Sequence, residues 1–119
     1  KIRWRIGERE VGAGCYASPG VGPGLMLFGS RSHRVFAVDA KTGKGRWTFV
    51  TRDAVDSAPI TISGIAVFGC NDGYLYAVRA DSGQRAGSIR LGGKLTASAA
   101  YSNGLVLIGG EDGVLHAVN

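Results

Sequence analysis

No stretch of the sequence approaches the ~20 consecutive apolar residues that a membrane-spanning helix needs, and its first ten residues, KIRWRIGERE, lack the apolar core of a secretory signal. Membrane insertion through a helix is excluded, and no targeting segment is read within these residues. Cysteine is scarce. Cys15 and Cys70 are too far apart for a Cys-x-x-Cys site and have too few companions for a zinc cluster. Pairing between them is left open by the sequence, and buried free thiols are the reading favoured. Helical periodicity is missing as well, since no segment repeats its apolar residues every three to four positions. Charge is sparse at 19% of residues against 45% hydrophobic, which excludes a disordered chain and points to a packed one of 119 residues, a single domain with a modest core.

Acidic residues are the scarcer charge, nine against fourteen basic, for a net charge of +5. The basic residues are scattered through KIRWR, RSHR and KTGKGR, with neither a basic helix nor a repeated aromatic–basic face. A solvated basic surface is expected, not a nucleic-acid partner.

Catalytic constellations are absent too. Ser18 and Ser98 stand outside any Gly-x-Ser-x-Gly elbow, and GPG (22–24) and LGG (91–93) lack the Lys-Ser/Thr of a phosphate loop. GCNDG (69–73) and GGEDG (109–113) alternate oxygen ligands with glycine but follow no calcium-loop spacing. Asp39, Asp72, Asp81 and Asp112 read as turn residues that cap local backbone. His33 falls at a hairpin tip, and His116 shares a register with Phe36 and Tyr76, a packing position. No catalytic residue, metal site or cofactor is expected.

What is present is a repeat. LFGSRSHRVFAVD (27–39), VFGCNDGYLYAVR (67–79) and LIGGEDGVLHAVN (107–119) recur at a spacing of 40, giving approximate units 1–39, 40–79 and 80–119. Gly29, Gly69 and Gly109 share a register, as do Ala37, Ala77 and Ala117, and further upstream Gly24, Gly64 and Gly104. Periods of this size mean solenoids or propellers. Each unit reads as strand: SAPITI, Ser63-Gly64, IAVFG, Asn71-Asp72-Gly73, YLYAV and DSGQ alternate short β-rich runs with turn signals. Repeat one carries Ser32-His33 where the others have Asp-Gly, so its turn is expected to be of a different type. Four short antiparallel strands in about 40 residues make one propeller blade. The expected fold is therefore all-β, with about three blades; a kelch or WD-type propeller ranks lower, for want of a Trp-Asp dipeptide and of Gly-Gly in more than one repeat.

Within this frame AVDAKTGKGRW (37–47) ends a third strand, turns and starts a fourth. It resembles the tryptophan-docking motif, A-x-D-x-x-T-G-x-x-x-W, of the pyrroloquinoline-quinone-type (PQQ-like) β-propeller repeat family. Ala37, Asp39, Thr42, Gly43 and Trp47 fill its fixed positions. The resemblance implies that the tryptophan packs on the neighbouring blade while Asp and Thr-Gly shape the turn. Repeat two departs from the motif: Arg79 replaces the Asp, Ser82 the Thr, and Gly87 the tryptophan. Trp4 reads as the same fourth-strand position of a preceding blade, with three extra residues bulging in GEREVGAG.

The family implies three roles. A non-catalytic platform for a protein partner, for assembly or for sensing is favoured, as in the propeller lipoprotein of the outer-membrane β-barrel assembly machinery and the sensor propellers of some bacterial kinases. A fragment of a PQQ-dependent quinoprotein dehydrogenase is the alternative, although the vicinal Cys-Cys pair is absent. A purely structural domain of a larger enzyme or surface protein is the third. An extracytoplasmic location is the family tendency. Counted in strands, the sequence opens with a fourth strand near IRWRI (2–6) and stops after a third at VLHAVN (114–119). Three blades leave sheet edges uncovered, so further blades, from the same chain or from a second copy, are expected to complete it.

Overall fold

The computed structural model describes residues 20–22 and 24–118. Eleven strands and no helix are formed among them. The first sheet runs β1 (Gly20–Gly22), β2 (Leu25–Ser30), β3 (Arg34–Asp39) and β4 (Gly45–Val50). The second repeats it as β5 (Ile60–Ile62), β6 (Ile65–Gly69), β7 (Tyr74–Arg79) and β8 (Arg85–Arg90). The third holds β9 (Ala100–Ser102), β10 (Leu105–Gly109) and β11 (Leu115–Val118). Every neighbouring pair is antiparallel, and chain order is spatial order in each sheet. Trp4, Cys15, the GEREVGAG bulge and the segment 2–6 read as a fourth strand lie outside the described residues.

Turn chemistry sets these boundaries. Between the first two strands of the second and third sheets the chain reverses through two residues at positive φ, Ser63 (49°) with Gly64 (82°) and Asn103 (50°) with Gly104 (81°), the geometry of a tight hairpin whose twist matches that of its strands. Between the second and third strands Asp72 and Asp112 each accept, through Oδ1, the backbone N–H two residues on, at 2.9 and 3.0 Å. Gly73 (87°) and Gly113 (81°) then take the left-handed position. The expectation of a different turn in repeat one is corrected here. His33 stands at φ 65°, in the same left-handed region as its two glycine counterparts. The backbone geometry is retained because the β2–β3 pairing from Leu25↔Asp39 to Ser30↔Arg34 fixes where the chain must reverse.

The sheets stack face on face, and their alternating residues make two cores. Leu27, Val35 and Ala37 of the first sheet meet Ala66, Phe68, Tyr76 and Val78 of the second, with Val55 and Cys70 between them. The opposite face of the second sheet, Val67 and Leu75, meets Ile108 of the third together with Leu95 and Ala99. Close approach requires glycine at two equivalent places. A Cβ on Gly29 would lie 2.6 Å from the Val55 carbonyl oxygen, and one on Gly69 would lie 2.7 Å from Leu95 Cβ. The loop entering the next sheet presses on the backbone of the one before it.

Candidate functional site

The motif residues converge on the turn between β3 and β4. Asp39 Oδ1 accepts the backbone N–H of Lys41 (2.9 Å) and of Thr42 (3.1 Å). These two bonds, chiefly, hold its carboxyl below the usual carboxylate value. Thr42 Oγ1 accepts the N–H of Lys44 at 3.3 Å, and Gly43 supplies a φ of 75°. Ala37 pairs with Trp47 across the strands, just before a register shift between Ala37 and Val38. Trp47 reaches out of this turn to the second sheet. Its indole N–H donates to the Ala80 carbonyl at 2.8 Å, and its ring lies so near Gly83 that a Cβ there would fall 2.6 Å from it. Two residues along, Phe49 sets its edge against Phe68 (5.8 Å between ring centres) and Tyr76 (5.5 Å), which are themselves stacked.

The corresponding turn of the second sheet is held by other means. Its register shift, between Ala77 and Val78, is the same. Asp81, expected to cap backbone, is engaged chiefly by Arg79, at 3.3 Å from Nε and 3.2 Å from Nη2. An exposed ion pair thus stands where Asp39 makes its backbone cap. At the position of Trp47, Gly87 pairs with Ala77. A Cβ built on Gly87 meets no heavy atom within 4 Å. A groove of about 280 Å³ opens there, walled by Leu75, Ala77, Ile89, Val106 and Val118 among others.

At the opposite end of the sheets the loop of residues 51–59 gathers the polar side chains that sequence reasoning missed. Ser57 is fully buried; its hydroxyl donates to the Gly69 carbonyl (2.7 Å) and accepts the Gly69 N–H (2.9 Å). Asp56 Oδ2 accepts from Arg31 (2.9 Å) and Asn71 (3.0 Å), tying the turns of two sheets to one loop. Neither residue has a repeat-register counterpart of its own kind, so periodicity gave no signal for them.

Cys70 and Tyr76 are held in structural contacts. Cys70, the one cysteine among the described residues, is buried, and its thiol faces the carbonyls of Asp53 and Ala54. Burial pushes that thiol up to about 11, so the thiolate form is scarce at neutral pH. Tyr76 donates its hydroxyl to Asp72 Oδ2 at 2.5 Å; burial, and then that carboxylate, raises the phenol well above its ordinary value. Among the described residues no group of three or more His, Cys, Asp or Glu side chains is placed to hold a metal ion.

No family model matches the chain, and no curated protein matches its sequence. Solved structures do match. BamB from Moraxella catarrhalis is 23% identical over 92% of this chain and 35% of its own, with a TM-score of 0.79. A quinohemoprotein alcohol dehydrogenase from Pseudomonas putida HK5 is 29% identical over 82% of this chain and 17% of its own, with a TM-score of 0.74. Sqt1 from Saccharomyces cerevisiae is 18% identical over 87% of this chain and 31% of its own, with a TM-score of 0.73. The chain spans 35% or less of the length of these three structures. Its three sheets are consecutive blades of a β-propeller fold, similar to part of each of these larger molecules.

Proposed function

We propose that the chain belongs to a non-catalytic PQQ-like β-propeller that serves as a platform for protein interaction, assembly or sensing, completed by further blades of its own chain or of a second copy. One observation carries the reading. The residues of the motif that the family shares are spent on building and docking a turn, with Trp47 bonded to the next blade through Ala80. Such a protein works through the surfaces its loops and edges present, and an extracytoplasmic location accords with the family resemblance. No helix of the described residues is long and apolar enough to cross a membrane.

The identity of 29% to a quinohemoprotein alcohol dehydrogenase favours a second reading, a segment of a PQQ-dependent dehydrogenase. Two observations support the platform reading over it. The sequence has no vicinal Cys-Cys pair, and Cys70 is buried against two carbonyls. Titration with PQQ and calcium, followed by dye reduction with alcohols or aldoses, separates the two readings: neither binding nor turnover is expected, and stoichiometric calcium-dependent quinone binding overturns the platform reading. Sedimentation equilibrium at micromolar concentration tests the need for further blades. Self-association or instability is expected, and a folded species of single-chain mass with concentration-independent unfolding refutes it.

A further inference from the structure

The basic residues are scattered along the sequence, and the fold gathers them. The first strands of the two four-stranded sheets, β1 and β5, touch each other, whereas the fourth strands, β4 and β8, belong to separate sheets and each pairs with one strand among the described residues. First strands thus converge, and fourth strands form a rim. Residues 43–52, which include β4, hold Lys44, Arg46 and Arg52 and no acidic residue; residues 82–110, which include β8, hold Arg85, Arg90 and Lys94 and again none. All six are exposed. Of the six, Arg46 alone has a carboxylate near it, that of Asp39 at 3.7 Å. Acidic side chains stand at the turns and loops that end the strands, where they are engaged: Asp53 with the Ala54 N–H, Asp56 with Arg31 and Asn71, Asp72 with Tyr76. The outer edge of β4 stays open although the complete second blade stands beside it, so a neighbouring blade does not close such an edge.

An open rim edge presents a row of backbone donors and acceptors that an extended segment can join. Basic side chains on an edge repel the same edge of a second copy, and they attract a strand of opposite charge. We propose that β4 and β8 each receive an extended, acidic segment of a partner protein, paired through its backbone and held by Lys44, Arg46 and Arg52 on one strand and by Arg85, Arg90 and Lys94 on the other. Blades added around the stack leave these edges on the rim. A single-stranded nucleic acid fits less well, since it needs rings on which bases stack. The rings of β4, Trp47 and Phe49, are turned into the first seam, and β8 has none. The proposal rests on the platform reading and names the charge and shape of the partner.

The test titrates the whole chain with a blocked hexapeptide of alternating glutamate and threonine, followed by NMR shifts of the backbone amides of β4 and β8. Shifts on both strands are expected, with affinity falling by about tenfold or more as salt rises from about 0.05 to about 0.5 M. A glutamate–proline hexapeptide keeps the charge but lacks half of the backbone donors, and is expected to bind about tenfold more weakly. Arg85→Glu with Arg90→Glu should abolish the shifts on β8 and keep those on β4; Lys44→Glu with Arg52→Glu should do the reverse. All four side chains are exposed, so each pair of changes leaves the cores untouched. Absence of shifts on both strands, equal binding of the proline peptide, equal binding by the reversed variants, or tighter binding of oligothymidylate overturns the proposal. That failure leaves the platform reading standing, because the quinone and sedimentation experiments decide it separately.

Discussion

Between the first and second blades, Trp47 and Phe49 cross the seam and close it. Between the second and third, the same two register positions carry Gly87 and Ile89, and the seam stays open on its outer side. The inner parts of the two contacts are alike: Gly29 under Val55 in one and Gly69 under Leu95 in the other allow the same close approach. The lesson is a division of labour. Aliphatic alternation and a glycine bring two blades together, while the aromatic residues of the outer strand decide whether the seam is sealed. Gly109 keeps the glycine of the series, and among the described residues nothing lies within 4 Å of where its Cβ would be.

Removing the seal should have the largest effect. Trp47→Ala is expected to cost about 2–4 kcal/mol, below the full value for a buried ring because this one is only half-buried, and with the Ala80 carbonyl losing its donor. Urea denaturation measures it, and a loss under about 1 kcal/mol would erase the distinction between the two seams. Next comes the shared inner contact. Gly69→Ala is expected to destabilise by about 1–3 kcal/mol, since Leu95 and Ile108 must move aside for the added methyl. Gly109→Ala should stay within about 0.5 kcal/mol in the same assay. Equal costs at the two glycines would contradict the close-approach argument.

Converting the open seam into the closed one should help. Gly87→Trp is expected to raise stability by about 1 kcal/mol, as cavity-filling changes commonly do, read as a higher denaturation midpoint with an unchanged slope. A fall in the midpoint would show that the groove is not free to accept a ring. The smallest difference separates the two turns. Asp39 and Asp81 both have folded pKa values lowered from 3.8, so each contributes stability that is complete well above pH 3.8 and disappears as pH falls through the lowered value. The causes differ. Salt should therefore shrink the effect of Asp81→Ala, which breaks an exposed pair with Arg79, more than that of Asp39→Ala, which chiefly removes backbone caps beside a longer pair with Arg46 at 3.7 Å. Thermal midpoints at pH 7 and pH 2, with and without 1 M salt, make the check; the same salt response in both variants would refute the distinction.

Much of the architecture was legible because it is local. The recurrence of LFG, VFG and LIG with AVD, AVR and AVN marks paired strands, and the turn residues between them carry the positive φ that stops each strand. His33 was misjudged for an instructive reason. Turn type was read from the residue at the tip, but strand register, fixed over six pairs by packing, imposed the left-handed geometry on histidine as well. Asp81, by its turn position, is expected to cap local backbone. Arg79, which replaces the aspartate of the motif, captured it instead.

The sequence by itself determined the period, the strands, the hairpins and the motif turn, since each depends on residues a few positions apart whose alternation or φ preference acts locally. Tertiary structure alone decided what each glycine is for. Gly29 admits Val55, Gly69 admits Leu95, Gly83 admits the ring of Trp47, and Gly87 leaves a groove. The letter is the same in all four places. What differs is the neighbour brought from another blade, and that neighbour is selected by the stacking of sheets, where burial of apolar faces sets which residues meet.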